Sequence, residues 1–119
     1  TGLKILIAED DEISGLYLSE IVKEVSREVL TVITGIDVVE ICRKNADIDL
    51  ILMDIQMPGI NGYEATRRIR EFNKNVVIIA QTAYGLTEDK ERALALGFNY
   101  FISKPIDRKL LENIMRDEF

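Results

Sequence analysis

With 119 residues, 47% of them hydrophobic and 30% charged, the chain has the size and composition of one ordered domain built on a single core. Its net charge of −6, from 15 basic against 21 acidic side chains, argues against a non-specific nucleic-acid binder, which needs a basic face to displace phosphate counterions. One cysteine, Cys42, rules out an intrachain disulfide, and the lack of histidine rules out Ser-His triads, His-based metal sites and phosphohistidine chemistry within these residues.

The first strand is Leu3–Ala8, which ends at three acids, Glu9, Asp10 and Asp11. It is too short, and too soon followed by acids, for the apolar part of a secretory signal, and no apolar run reaches the ~18 residues of a membrane span. Asp11 or a neighbour caps a helix in which Ile13, Leu16, Tyr17, Glu20, Ile21 and Val25 recur at spacings of three and four. Leu18 and Val22 lie off that stripe and are candidates for a docking surface. Val29–Ile33, with Thr31 at its middle, reads as a second strand suited to a sheet edge. Thr34 to Asp37 starts a helix that buries Val38, Ile41 and Cys42 and stops at Asn45.

Asp49–Met53 is a short, strongly apolar run that leads into Asp54 and is broken by Pro58-Gly59, the pattern of a fully buried strand ending in a carboxylate. Asn61 caps the third helix, with Ala65, Ile69 and Phe72 on one face and Arg67, Arg68 and Arg70 on a solvated face beside Glu64 and Glu71. Val76–Ala80 is the next buried strand and leads into Gln81, Thr82, Ala83, Tyr84 and Gly85. Thr87 caps a helix with acids in its first turn that runs to Gly97. Asn99–Ser103 is a final strand ending at Lys104-Pro105, and Asp107 caps a last helix with Leu110, Leu111, Ile114 and Met115 on one face.

Strand and helix thus alternate five times with short connections, which demands a parallel sheet with right-handed crossovers. The chain is too short for an eight-stranded barrel. The expected fold is a doubly wound α/β sheet of flavodoxin-like type, (βα)5, in strand order 2-1-3-4-5, occupying 1–119 as a single domain. In that order four chemistry-bearing strand ends share one rim: Glu9 and Asp10, Asp54, Thr82, and Lys104. Three carboxylates against one ammonium leave an excess of negative charge that a divalent cation balances, and carboxylate, backbone carbonyl and water are the ligands Mg²⁺ prefers. A carboxylate beside such a cation can attack a phosphoryl group, with Lys104 neutralising one phosphoryl oxygen and Thr82 bonding another.

The runs I-L-I-A-E-D-D-E, L-I-L-M-D-I-Q-M-P-G-I-N-G, I-I-A-Q-T-A-Y-G and Y-F-I-S-K-P-I, in this order and at these separations, resemble the receiver domain of two-component response regulators, a CheY-like fold. The resemblance spans about Leu3 to Met115. It implies that Asp54 accepts a phosphoryl group from a partner phosphohistidine and that the Mg²⁺ ligands are Asp10, Asp54 and the Gln56 backbone carbonyl, with Glu9 acting through water and Mn²⁺ as a possible substitute. It implies further that Thr82 and Lys104 contact the phosphoryl group, that Lys104-Pro105 is a cis peptide, and that Thr82 and Phe101 form the switch, with Tyr100 a less favoured aromatic. Gln56 and Tyr84 flank the site and are expected to tune phosphoryl lifetime toward slow self-dephosphorylation.

The resemblance also implies a histidine kinase or histidine phosphotransfer domain as phosphodonor, an unknown output partner, a possible homodimer, and no nucleic-acid or membrane contact by this domain. The first acid is Glu9 where Asp is commoner, so a register with Asp10 and Asp11 as the acid pair stands as an alternative; Glu9-Asp10 fits the strand-end spacing better. The run M-D-I-Q-M-P-G-I-N-G-Y-E-A-T-R-R-I-R is similar to receivers of hybrid sensor kinases, so the chain is expected to be a cytoplasmic piece of a larger, membrane-anchored protein rather than a free-standing regulator. Neither kinase activity nor a transcription-factor output is expected of these residues themselves. Two other readings stand beside this one. In the first, a receiver fold with a silent site acts as a phosphorylation-independent interaction module. The second is an Asp-nucleophile phosphatase, disfavoured because Gln56 stands where such enzymes carry a second acid.

Overall fold

Strand and helix alternate from Leu3 to Glu118 in a computed structural model that describes residues 2–83 and 87–119, the side chains of 87–89 excepted. The strands are β1 (Leu3–Ala8), β2 (Ser26–Val32), β3 (Leu50–Asp54), β4 (Val77–Thr82) and β5 (Tyr100–Ser103). The helices are α1 (Glu12–Val22), α2 (Gly35–Lys44), α3 (Gly62–Arg70), α4 (Thr87–Ala95) and α5 (Arg108–Glu118). All four strand pairings are parallel and the order is β2-β1-β3-β4-β5, the doubly wound CheY-like flavodoxin arrangement expected from the alternation. Among the described residues no helix is long and apolar enough to cross a membrane.

The inner strands are apolar on both sides because each side faces a helical layer. Ile5, Ile7, Leu50, Leu52, Val77, Ile79 and Ile102 point toward α1 and α5. Their neighbours in sequence, Leu6, Ala8, Ile51, Met53, Ile78 and Ala80, point toward α2, α3 and α4. β2, at the edge, carries exposed and half-buried residues throughout. Side-chain caps fix where helices begin: Asp11 accepts from the Ser14 N–H, Thr34 from Asp37, Asn61 from Glu64, and Asp107 from Lys109 and Leu110. Beyond α4, Gly97 takes φ +110°, and the Phe98 N–H reaches the Ala93 carbonyl at 3.1 Å, a left-handed termination of the helix.

Several faces differ from the periodicity. In α1 the buried residues are Leu18, Ile21 and Val22, whereas Ile13 and Leu16 are 78% and 65% exposed and Tyr17 and Val25 are exposed as well. This helix is apolar on two sides, so spacing alone leaves its rotation open, and docking onto the sheet selects the Leu18 side. A 3₁₀ turn at Lys23–Val25 then takes Val25 out of register. Leu18 and Val22 are therefore core residues and not a docking surface. Phe72 falls beyond the end of α3 and is exposed, with the Arg43 guanidinium 4.8 Å from its ring centroid. Leu110 is exposed on α5, where Leu111 and Met115 carry the burial.

Arg67 and Arg68 pair with Glu64, and Arg67 also with Glu71, as a solvated face requires. Arg70 departs from that face. Its guanidinium is half-buried and donates to the carbonyls of Gly97, Val76 and Asn73 and to Asn99 Oδ1, which ties the end of α3 to the turn after α4.

The rotation of α1 is open to test by paired substitution. Leu18→Ala should cost roughly 2–5 kcal/mol in urea unfolding, the range for a buried leucine, whereas Leu16→Ala should stay within about 0.5 kcal/mol of the parent. Similar losses in the two variants would contradict the observed face.

Candidate functional site

The acids, Thr82 and Lys104 of the expected site each sit at or just after the carboxyl end of a strand. Glu9 and Asp10 follow β1, Asp54 is the last residue of β3, Thr82 the last of β4, and Lys104 follows β5. β1, β3, β4 and β5 are adjacent in the sheet, so the four ends form one rim. The backbone ties the rim together: the Glu9 N–H donates to Val32, Ile55 to Gln81, and Lys104 to the Thr82 carbonyl at 2.7 Å. The Lys104–Pro105 peptide is cis.

At the centre, the Lys104 ammonium bridges two carboxylates. Its Nζ lies 3.0 Å from Glu9 Oε1 and 3.0 Å from Asp54 Oδ2. Those two acids are almost fully buried, with side chains 1% and 6% exposed. Their remaining oxygens accept backbone N–H groups, Asp54 Oδ1 from Gln56 at 3.1 Å and Glu9 Oε2 from Asp11 at 3.2 Å. Burial, helped by the neighbouring Asp54 carboxylate, raises the Glu9 carboxyl above its ordinary value of 4.5, and the bond to Lys104 only partly offsets this. For Lys104, burial pulls the ammonium down, but the hydrogen bonds to Glu9 and Asp54 outweigh it and hold the group above its usual value.

Asp10, exposed at the rim, adds a third carboxylate. One oxygen from each of Glu9, Asp10 and Asp54 lies within 4.8 Å of the other two. An all-oxygen, anionic donor set at this spacing fits a hard divalent cation that keeps part of its water shell. Asp11 stands outside this group and caps α1 through its bonds to the Ser14 N–H at 3.0 Å and hydroxyl at 2.6 Å.

Thr82 is buried at the end of β4. Phe101 is half-buried against the core on the α2–α4 side, while Tyr100 faces the other layer and its hydroxyl donates to Glu118 at 2.6 Å. Gln56 is exposed immediately beyond Asp54. Tyr84 lies outside the described residues. The periodicity missed two features. Tyr17 donates to the Ile106 carbonyl at 3.1 Å and straps α1 to the segment after Lys104. Gln81, opposite Asp54 in the β3–β4 register, has a fully buried carboxamide; the sole sequence signal for it is a polar residue inside the run I-I-A-Q-T.

The family profile described as response regulator receiver domain matches residues 5–116. The chain belongs to that receiver-domain family. Homologous receiver domains include those of hybrid histidine kinases and of CheY. Sensor histidine kinase RcsC of Salmonella typhimurium is 31% identical over 113 residues, which are 95% of this chain and 12% of that protein. The receiver domain thus spans about an eighth of RcsC. Among solved structures, the receiver domain of sensor histidine kinase PA1611 from Pseudomonas aeruginosa, with magnesium coordinated in its active-site cleft, is 34% identical, covers 98% of this chain and 97% of that one, and superposes with a TM-score of 0.85. The Saccharomyces cerevisiae complex of the histidine phosphotransfer protein Ypd1 with the receiver domain of Ssk1 matches at 29% identity, 98% and 88% coverage and a TM-score of 0.89. These relatives place the receiver domain in two-component signalling.

The Glu9 shift has a measurable consequence. Because its folded-state value is raised, its favourable contribution is complete below pH 4.5 and is lost as the pH climbs through the folded value. Glu9→Gln, permanently neutral, should therefore melt at a higher temperature than the parent in metal-free buffer at neutral pH. That gain should vanish as the pH falls below 4.5. A lower melting temperature at pH 7, or a pH-independent difference, would show that the Lys104 ion pair dominates.

Proposed function

We propose that the chain is the phosphoacceptor of a phosphorelay, in which Asp54 takes a phosphoryl group from a phosphohistidine on another domain or chain. The observation that carries this reading is the Lys104 ammonium held 3.0 Å from the buried Asp54 carboxylate, with Glu9 and Asp10 beside it. A carboxylate oxygen of Asp54 attacks phosphorus in line as the P–N bond to the donor imidazole breaks, and the electron pair leaves with the imidazole. Lys104 compensates charge on one phosphoryl oxygen and the Thr82 hydroxyl donates to another. Asp10, Asp54 and the Gln56 carbonyl would hold Mg²⁺ or its substitute Mn²⁺, with Glu9 reaching it through water. The bound cation would neutralise charge on the transferring group. The acylphosphate product adds roughly −1.5 to −2 charge at the rim. Thr82 moves toward it, and Phe101 follows into the vacated space and reshapes the face built by α4, β5 and α5. Gln56, beside the acceptor, tunes the lifetime of the phosphoryl group.

We assign 1–119 to one receiver domain within a cytoplasmic part of a hybrid sensor kinase. The Ypd1–Ssk1 complex supports a histidine phosphotransfer protein or a histidine kinase as donor. Leu16 on α1 and Ile33 after β2 line one surface with Glu9, Asp10 and Asp11, and with the exposed Ile13 they offer apolar contact to such a donor.

Incubation with acetyl phosphate and Mg²⁺ should add one phosphoryl mass, absent in Asp54→Asn and absent when the cation is chelated. Equal mass gain in Asp54→Asn would overturn the assignment of the acceptor. Leu16→Glu should slow transfer from a phosphohistidine protein roughly tenfold or more by burying a charge at the contact, while leaving the rate with acetyl phosphate unchanged. Parallel losses with both donors would locate Leu16's effect in the site instead of the docking surface.

A further inference from the structure

Behind the acids, a cleft of about 400 Å³ opens between α1 and the segment that follows β5. Leu18, Ala83, Pro105 and Ile106 give it apolar walls, and the paired Glu9 and Lys104 also line it. Tyr17 lies across it, with its hydroxyl on the Ile106 carbonyl. Gln81 lines the cleft as well, on the same side of the sheet as Ile79 and Ile102.

Gln81 is out of keeping with these surroundings. Its side chain is fully buried, and neither Oε1 nor Nε2 has a hydrogen-bond partner among the described residues. A buried amide with both ends unmet carries a desolvation penalty that leucine or methionine of similar size would avoid. A partner that supplies both a donor and an acceptor recovers that penalty. Both amide atoms are closed to solvent in the resting structure, so an edge arriving in the cleft is met when the glutamine side chain rotates about its soft terminal torsion.

We propose that this cleft is a binding site for a small neutral molecule that presents a carboxamide or lactam edge on an apolar ring, with Gln81 as the group that reads the edge. An amide carries its donor and acceptor side by side in one plane, and its natural complement is a second amide edge in the opposite sense. The apolar walls favour a flat hydrocarbon body of one ring, within the size range of ligand cavities. Neutrality follows from the charges present: Glu9 and Lys104 already pair with each other, so an ionic ligand would be desolvated without a counterion.

Benzamide, with benzoate and methyl benzoate as controls, tests this on the ¹⁵N-labelled protein. Benzamide should shift the Gln81 side-chain NH₂ signals saturably, together with the backbone signals of Tyr17 and Ile106. Methyl benzoate, which lacks the donor, and benzoate should bind roughly tenfold more weakly, the worth of one good hydrogen bond. Gln81→Met should lose the preference for benzamide over methyl benzoate. No saturable shift at Gln81, equal binding of methyl benzoate by the parent, or an undiminished preference in Gln81→Met would each overturn the proposal. The comparison of the three ligands on the parent stands even where the variant fails to fold.

Discussion

A single ammonium group holds two buried carboxylates together at the rim of the sheet, and the arrangement of the chain follows from making that possible. Buried charges persist only when paired and hydrogen-bonded. Glu9 and Asp54 each have one oxygen on Lys104 and the other on a backbone N–H, so all four carboxylate oxygens are met. The three residues come from strand ends 50 and 95 positions apart in sequence, and the parallel order β1-β3-β4-β5 brings them within contact. Asp10 adds negative charge, and among the described residues no lysine pairs with it. The resting site is thus over-supplied with carboxylate, and the ammonium occupies the place where a cation and a phosphoryl group would divide the charge between them.

The two faces of the sheet do different work around this point. On one side α2, α3 and α4 pack over Met53, Ala80 and Phe101, the layer through which the proposed switch would act. On the other, α1 and α5 cover Ile7, Leu52 and Ile102, and α1 turns its unburied apolar side to solvent next to the acids. Close backbone approach holds the loop after Asp54 in place. A Cβ on Gly62 would lie 2.5 Å from the Asp54 carbonyl, and one on Gly35 would lie 2.1 Å from that of Ile60, so only glycine lets α3 and α2 begin where they do. Arg70, bonded to four carbonyl or amide oxygens, anchors the far end of α4.

Much of this was legible in the chain itself. Apolar runs ending at Glu9, Asp54, Thr82 and Lys104 specify buried parallel strands and put their chemistry on one edge, and Thr34, Asn61 and Asp107 mark helix starts through their side-chain oxygens. What escaped the pattern is instructive in physical terms. α1 is apolar on two sides, so its rotation is decided by the sheet it meets and not by its own period. Phe72 and Leu110 continue a spacing that the helix end and the curvature of packing do not honour. Arg70 sits in a basic cluster with Arg67 and Arg68, and only the tertiary position of the Gly97 carbonyl separates its role from theirs. Gln81 is indistinguishable in sequence from a polar residue at a strand end, because its isolation is a property of what surrounds it.

The claim on which the account rests is that Lys104 serves as the counterion of the acids until a cation arrives. Mg²⁺ titration of the parent and of Lys104→Met, followed by calorimetry at fixed ionic strength, tests it most directly. Removing the ammonium leaves three carboxylates with no compensating charge, so the account predicts tighter Mg²⁺ binding by Lys104→Met, with Asp10→Ala abolishing binding in either background. Mg²⁺ affinity that is unchanged or weaker in Lys104→Met would contradict it.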